Sequence, residues 1–255
     1  MEKKSVPQPA SKILRISAIA AAVLLSSCAP QVPPVPSGAD RAKDLSFLPE
    51  RAVKGELFRY YQPNGKSKWN GNWTSQFDLT GVAWNDARTA TAISRNHVVM
   101  AAHYIRPSSV PVIFHDRDGN PHERIIGDVT RLDKVGDVAV ARLNRPLPVG
   151  VAHYPLATVS DVTHERLVLV TDKEKQLSVH RLGRVEGRRA VLGYDPKIDR
   201  RYWRNLVVGD SGNPAFIIKN GRLALLSTHT TGGPGTGPFY GDPEVRAAVL
   251  AACAP

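Results

Sequence analysis

The chain has 255 residues, a length for one large or two small domains, and 42% hydrophobic residues, enough for a core. Aromatic content of only 7%, with Gly and Pro at 20 each, argues against a helical bundle and for a loop-rich β architecture. Formal net charge is +11; residues 1–27 contribute +3, which leaves +8 for the rest. No nucleic-acid motif accompanies this charge.

Residues 1–15 are polar and basic, residues Ile16 to Leu25 are almost wholly apolar, and Leu25-Ser26-Ser27-Cys28 follows. Ten apolar residues are too few to span ~30 Å of hydrocarbon as a permanent helix. Charged, then apolar, then small residues is the layout of a secretory signal. Leu-Ser-Ser-Cys resembles the lipobox of bacterial lipoproteins. That resemblance implies a signal peptide over 1–27 and a diacylated Cys28 as the mature N-terminus. It also implies a membrane anchor, and Ala29 in place of Asp implies the outer membrane, with the protein facing the periplasm. With Cys28 committed to lipid, Cys253 has no partner, and packing alone must hold the fold.

Residues 28–40 form a tether: APQVPPVPSG, from Ala29 to Gly38, has four prolines in ten residues. An extended segment of this kind at ~3.1 Å per residue sets the folded part about 30 Å from the lipid surface. Residues 41–79 are mixed in character and read as an N-terminal extension packed on the domain. Pro63-Asn64-Gly65 and Asn70-Gly71-Asn72 are turn signals within it.

From about residue 80 short apolar strands alternate with turns. The first set covers 81–84, 89–94, 98–102, 110–114 and 137–143. The second covers 167–171, 177–182, 189–192, 215–218 and 223–228. This rhythm predicts an all-β sandwich or barrel. Asp242-Pro243-Glu244 then starts a helix, with an N-cap, a proline at the first position and an early acid, and Val245 to Ala252 continues it.

A basic stretch runs through Arg181, Arg184, Arg188, Arg189, Lys197, Arg200, Arg201 and Arg204. It reads either as a solvated face or as an attraction to anionic envelope polymers, lipid headgroups or acidic substrates.

Three segments carry chemistry. ISRNHVVMAAHY ends on His103-Tyr104, Gly136-Asp137 opens an alternating strand, and Gly209-Asp210-Ser211-Gly212-Asn213-Pro214 is a turn around a serine. A serine hydroxyl needs a base to take its proton and a third group to orient that base. Asp133 is an alternative acid, but Asp137 directly precedes the strand. These segments, with LLSTHTTG at 225–232, resemble the trypsin-like, chymotrypsin-fold serine peptidases. The order His, Asp, Ser fits that family and neither subtilisins nor α/β-hydrolases. The gaps of 34 and 74 residues resemble the compact bacterial branch.

The resemblance covers roughly residues 80–250 and implies a peptidase domain over 80–255. It implies two antiparallel β-barrels, about 80–150 and 155–240, with a short C-terminal helix. It implies His103, Asp137 and Ser211 as the catalytic triad, backbone amides of Gly209 and Ser211 as the oxyanion hole, and a protein or peptide substrate. Asn205, His229, Thr230, Thr231 and Gly232 would border the substrate pocket. His229 stands where glutamyl endopeptidases carry a histidine that helps bind an acidic side chain; the other reading is a packed His229 and a pocket for small or apolar residues. No cofactor and no metal is expected, since His115 and His122 lack the companions of a metal set. A silent binding module of the same fold, or an esterase with the same triad, remains open. Two departures from the family pattern stand out. Asn213 replaces a glycine, where a left-handed backbone would suit Asn better than most residues. Asp210 has no evident partner.

Overall fold

The computed structural model describes residues 45–162 and 166–254. The expected signal segment and tether, with Cys28, lie outside these residues. Among the described residues the regular structure is mostly β-strand, with one short α-helix near the C-terminus. Among the described residues no helix is long and apolar enough to cross a membrane.

The N-terminal part forms a hairpin of β1 (Phe58–Tyr60) and β2 (Lys68–Trp69), joined through the turn at Pro63-Asn64-Gly65. A single turn of 3-10 helix, Trp73–Gln76, follows; the Asn72 side chain accepts from the Thr74 amide and caps it. Leu57, Trp73 and Leu79 belong to the largest buried cluster, so this extension is part of the core as well as a cover for it.

The next strands are β3 (Val82–Ala83), β4 (Ala90–Ala92), β5 (His97–Met100), β6 (Val112–His115), β7 (Pro121–Arg124), β8 (Ile126–Arg131) and β9 (Ala139–Leu143). Five of them make an antiparallel sheet in the order β3-β4-β5-β9-β8, while β6 and β7 pair as a separate hairpin. Then come β10 (Leu167–Thr171), β11 (Leu177–Glu186), β12 (Arg189–Gly193), β13 (Pro214–Lys219), β14 (Arg222–Thr228) and β15 (Thr236–Pro238). These form a six-stranded antiparallel sheet, β14-β13-β10-β11-β12-β15. This sheet curls, bringing its two ends together: the Thr230 amide donates to the Thr236 carbonyl at 2.9 Å, and the Tyr240 amide to Leu226 at 3.0 Å.

Side-chain alternation explains the unbroken apolar runs. Val98 and Met100 point into one cluster with Ala92, Phe114 and Ala141. Val99, between them, points into another with Val140, Phe216 and Leu225. In the second sheet Val168, Val170, Ala215 and Ile217 fill the inside of the curl, while Leu169 and Phe216 face the cluster shared with the first sheet. Each of these strands is buried on both faces, so neither face needs polar residues.

The helix α1 (Pro243–Ala252) starts as expected, with the Asp242 carboxylate accepting from the amides of Glu244 and Val245, both at 3.0 Å. Val245 and Val249 anchor it in the core.

Much of the basic stretch is neutralised locally: Arg184 pairs with Glu186, Arg201 with Asp199, Arg188 with Glu244 and Arg204 with Asp172. This favours the solvated-face reading for those four arginines.

Candidate active site

Strand β5 ends at Met100, and a 3-10 turn over Ala102–Tyr104 carries His103. The turn between β8 and β9 carries Asp137; the amides of Val135 and Gly136 donate to the Leu132 carbonyl, and Leu132 to that of Val138. The Arg131 guanidinium donates to the Ala102 carbonyl at 2.6 Å and ties the two turns together. Ser211 lies in the turn that enters β13, so two sheets contribute to the site.

The three side chains form one hydrogen-bonded line. Asp137 Oδ1 accepts from the His103 backbone amide at 2.8 Å, and Asp137 Oδ2 contacts His103 Nδ1. On the other side of the ring, His103 Nε2 lies 3.0 Å from Ser211 Oγ. Asp133 takes no part and pairs with Arg131 at 3.0 Å. The site is open to solvent: the His103 side chain is 47% exposed and that of Asp137 30%.

The serine turn is built from backbone. The Asp210 amide donates to the Val207 carbonyl at 3.0 Å, and the Asn213 amide to Asp210 at 3.1 Å. The Gly212 amide donates to His229 at 2.8 Å and the His229 amide to Asn213 at 2.9 Å, which sets the end of β14 against the turn. Left-handed backbone occurs at Gly209 (φ 97°) and Gly212 (φ 86°), whereas Asn213 is not left-handed. The tolerance of Asn for φ > 0 is therefore not called on at 213: Gly209 and Gly212 take the left-handed positions of the turn. Asn213 is fully buried instead, and its Nδ2 donates to the Asp210 carbonyl at 3.2 Å.

Asp210 finds its donors in the main chain. Its carboxylate accepts from the Lys173 amide at 2.9 Å and from the Val207 amide at 2.6 Å. The amides of Gly209 and Ser211 have no acceptor among the described residues.

The expected pocket residues lie on two adjacent segments. Leu206 and Gly233 form an antiparallel bridge with bonds of 2.7 and 2.9 Å, which sets the Asn205 segment against the one carrying Thr230 to Gly232, with Gly232 next to Leu206 and Val207. Asn205, Thr231 and Gly232 are exposed and Thr230 half-buried. His229 differs: it is 1% exposed, and neither ring nitrogen has a hydrogen-bond partner among the described residues. Burial, with His180 nearby, pushes its pKa down to about 3, so the ring is uncharged at neutral pH. His180, bonded to Ser178 at 3.1 Å, is lowered to about 4 by burial. His115 and His122 bond to the Gln62 carbonyl and to Asp116, and no group of potential metal ligands occurs among the described residues. Sequence reasoning missed Lys173, which belongs to no motif.

Compared with known proteins, the sequence matches no family model and no curated protein.

Proposed function

We propose that this chain is an exported, lipid-anchored serine endopeptidase of the trypsin-like type. In this reading the two sheets are two chymotrypsin-type antiparallel β-barrels, and the site lies in the cleft between them. The observation that carries the proposal is the continuous contact line from Asp137 through His103 to Ser211, next to two amides with no acceptor among the described residues.

The chemistry follows from that line. Ser211 Oγ attacks the substrate carbonyl carbon as His103 Nε2 takes its proton. Asp137 holds the ring and stabilises the imidazolium. The amides of Gly209 and Ser211 donate to the oxyanion, each such donor being worth on the order of 3 kcal/mol. The C–N bond then breaks, His103 returns the proton to the leaving amine, and water releases the acyl group by the same steps. No cofactor takes part. The exposure of His103 suits a polypeptide substrate that reaches the site from solvent. Cys28 would carry the lipid, and the proline-rich segment would hold the domain off the outer membrane, facing the periplasm.

Fluorophosphonate labelling tests the reading. Wild type is expected to label, and Ser211→Ala and His103→Ala are not. A folded wild type that does not label would reject the enzyme in favour of a silent binding module. Labelling without cleavage of any protein substrate would favour an esterase.

A further inference from the structure

We infer that Lys173 is a positioning residue that holds the Val208–Gly209 peptide in the orientation needed for oxyanion binding; the inference rests on the serine hydrolase reading above. Lys173 lies in the turn between β10 and β11. That turn is firmly built: the Asp172 carboxylate accepts from the Gln176 amide at 3.0 Å and pairs with Arg204 at 2.9 Å. The extension braces it from outside, the Leu57 amide donating to the Lys175 carbonyl at 3.0 Å.

From this base Lys173 reaches the serine turn at three points. Its backbone amide donates to Asp210 Oδ1 at 2.9 Å. Its Nζ donates to the Val208 carbonyl at 2.9 Å. Its stem lies over Gly209, where an added Cβ would sit 3.1 Å from Lys173 Cδ.

The second contact has a directional consequence. The Val208–Gly209 peptide is trans, so its carbonyl and its N–H point in opposite directions. Drawing the Val208 oxygen toward the ammonium points the Gly209 N–H away from it, and that N–H has no acceptor among the described residues. A flipped peptide would present a carbonyl oxygen where negative charge develops. Side-chain packing offers little resistance to the flip, because Val207 and Val208 are 53% and 95% exposed. Gly209, at φ 97°, has no side chain to restrain it.

The test compares Lys173→Met, which keeps the stem and loses the ammonium, with Lys173→Arg. Lys173→Met is expected to lower kcat about 10- to 100-fold, short of the full loss of an oxyanion donor. KM and Tm should change little, the fluorophosphonate labelling rate should fall in parallel, and Lys173→Arg should recover most of it. The 15N–1H resonance of Gly209 should shift or broaden in Lys173→Met alone, a readout independent of turnover. A Lys173→Met protein that labels at the wild-type rate would overturn the inference while leaving the Ser211 reading intact. So would a loss of activity matched by a fall in Tm and not recovered by Arg. A wild type that never labels would overturn both.

Discussion

Asp137 holds His103 at two points, taking the backbone amide with one carboxylate oxygen and contacting Nδ1 with the other. An acid in that position fixes both the turn and the ring. It also selects the tautomer in which Nδ1 carries the proton and Nε2 is free to accept from Ser211. Asp137→Asn presents an amide that can accept at one atom only. We expect kcat to fall about 10³- to 10⁴-fold, with KM and Tm little changed. Steady-state kinetics on a peptide substrate, with circular dichroism as the control for folding, checks this. A loss of less than about tenfold would remove Asp137 from its role.

The serine turn predicts opposite outcomes for two neighbours. Gly212 is left-handed, and a Cβ there would lie 3.1 Å from the Thr89 carbonyl oxygen. Gly212→Ala should cost about 2 kcal/mol or more and displace Ser211, so labelling should be lost. Asn213 carries no such strain. Asn213→Gly should retain activity but lose about 1–2 kcal/mol, because it frees the backbone and removes the 3.2 Å bond to Asp210. Urea unfolding and labelling on the same two proteins separate the effects.

Strands buried on both faces were legible in the sequence. Val98–Met100, Leu167–Thr171 and Pro214–Lys219 are near-continuous apolar runs for that reason. β8 was not, since only Ile126 of its six residues is buried, and an exposed edge strand needs no apolar pattern. β15 was hidden by its composition: Thr236-Gly237-Pro238 has two residues that strands avoid. Gly237 is required there because a Cβ would collide with the Thr228 carbonyl. At the site, His103, Asp137 and Ser211 were legible because each stands in a recognisable local pattern. The donors to Asp210 were not, because backbone amides of Lys173 and Val207 leave no trace in residue type.

Acid should destabilise the fold well before the carboxylates titrate. His180 and His229 are lowered from 6.5 to about 4 and about 3 by burial. Their folded-state pKa values lie below the unfolded ones, so between these limits the unfolded chain binds protons that the folded chain refuses. Their stabilising effect is therefore complete above pH 6.5 and is lost as pH falls toward about 4 for His180 and about 3 for His229. The limiting slope is about 1.4 kcal/mol per pH unit for each group. Asp172, raised chiefly by burial, works in the opposite direction over its own range. Urea midpoints from about pH 7 down to about pH 4 should fall steadily, and His180→Gln should flatten the curve. A flat wild-type curve would mean that these rings are hydrated or paired in solution.

In the proposed peptidase, substrate preference should follow from where charge is missing. The segments beside Ser211 present Asn205, Thr230, Thr231 and Gly232, none of them ionisable. His229, the one titratable group among the expected pocket residues, is buried and uncharged. An acidic side chain would have to enter without a cation to meet it, or carry a proton onto a ring whose pKa is near 3. Basic side chains would find no acid there. We therefore expect cleavage after small or apolar residues in a peptide library, with the preference unchanged in His229→Gln. A strong preference for Glu or Asp that disappears in His229→Gln would reverse this assignment. It would also mean that substrate binding supplies the partner which the His229 nitrogens lack in the free protein.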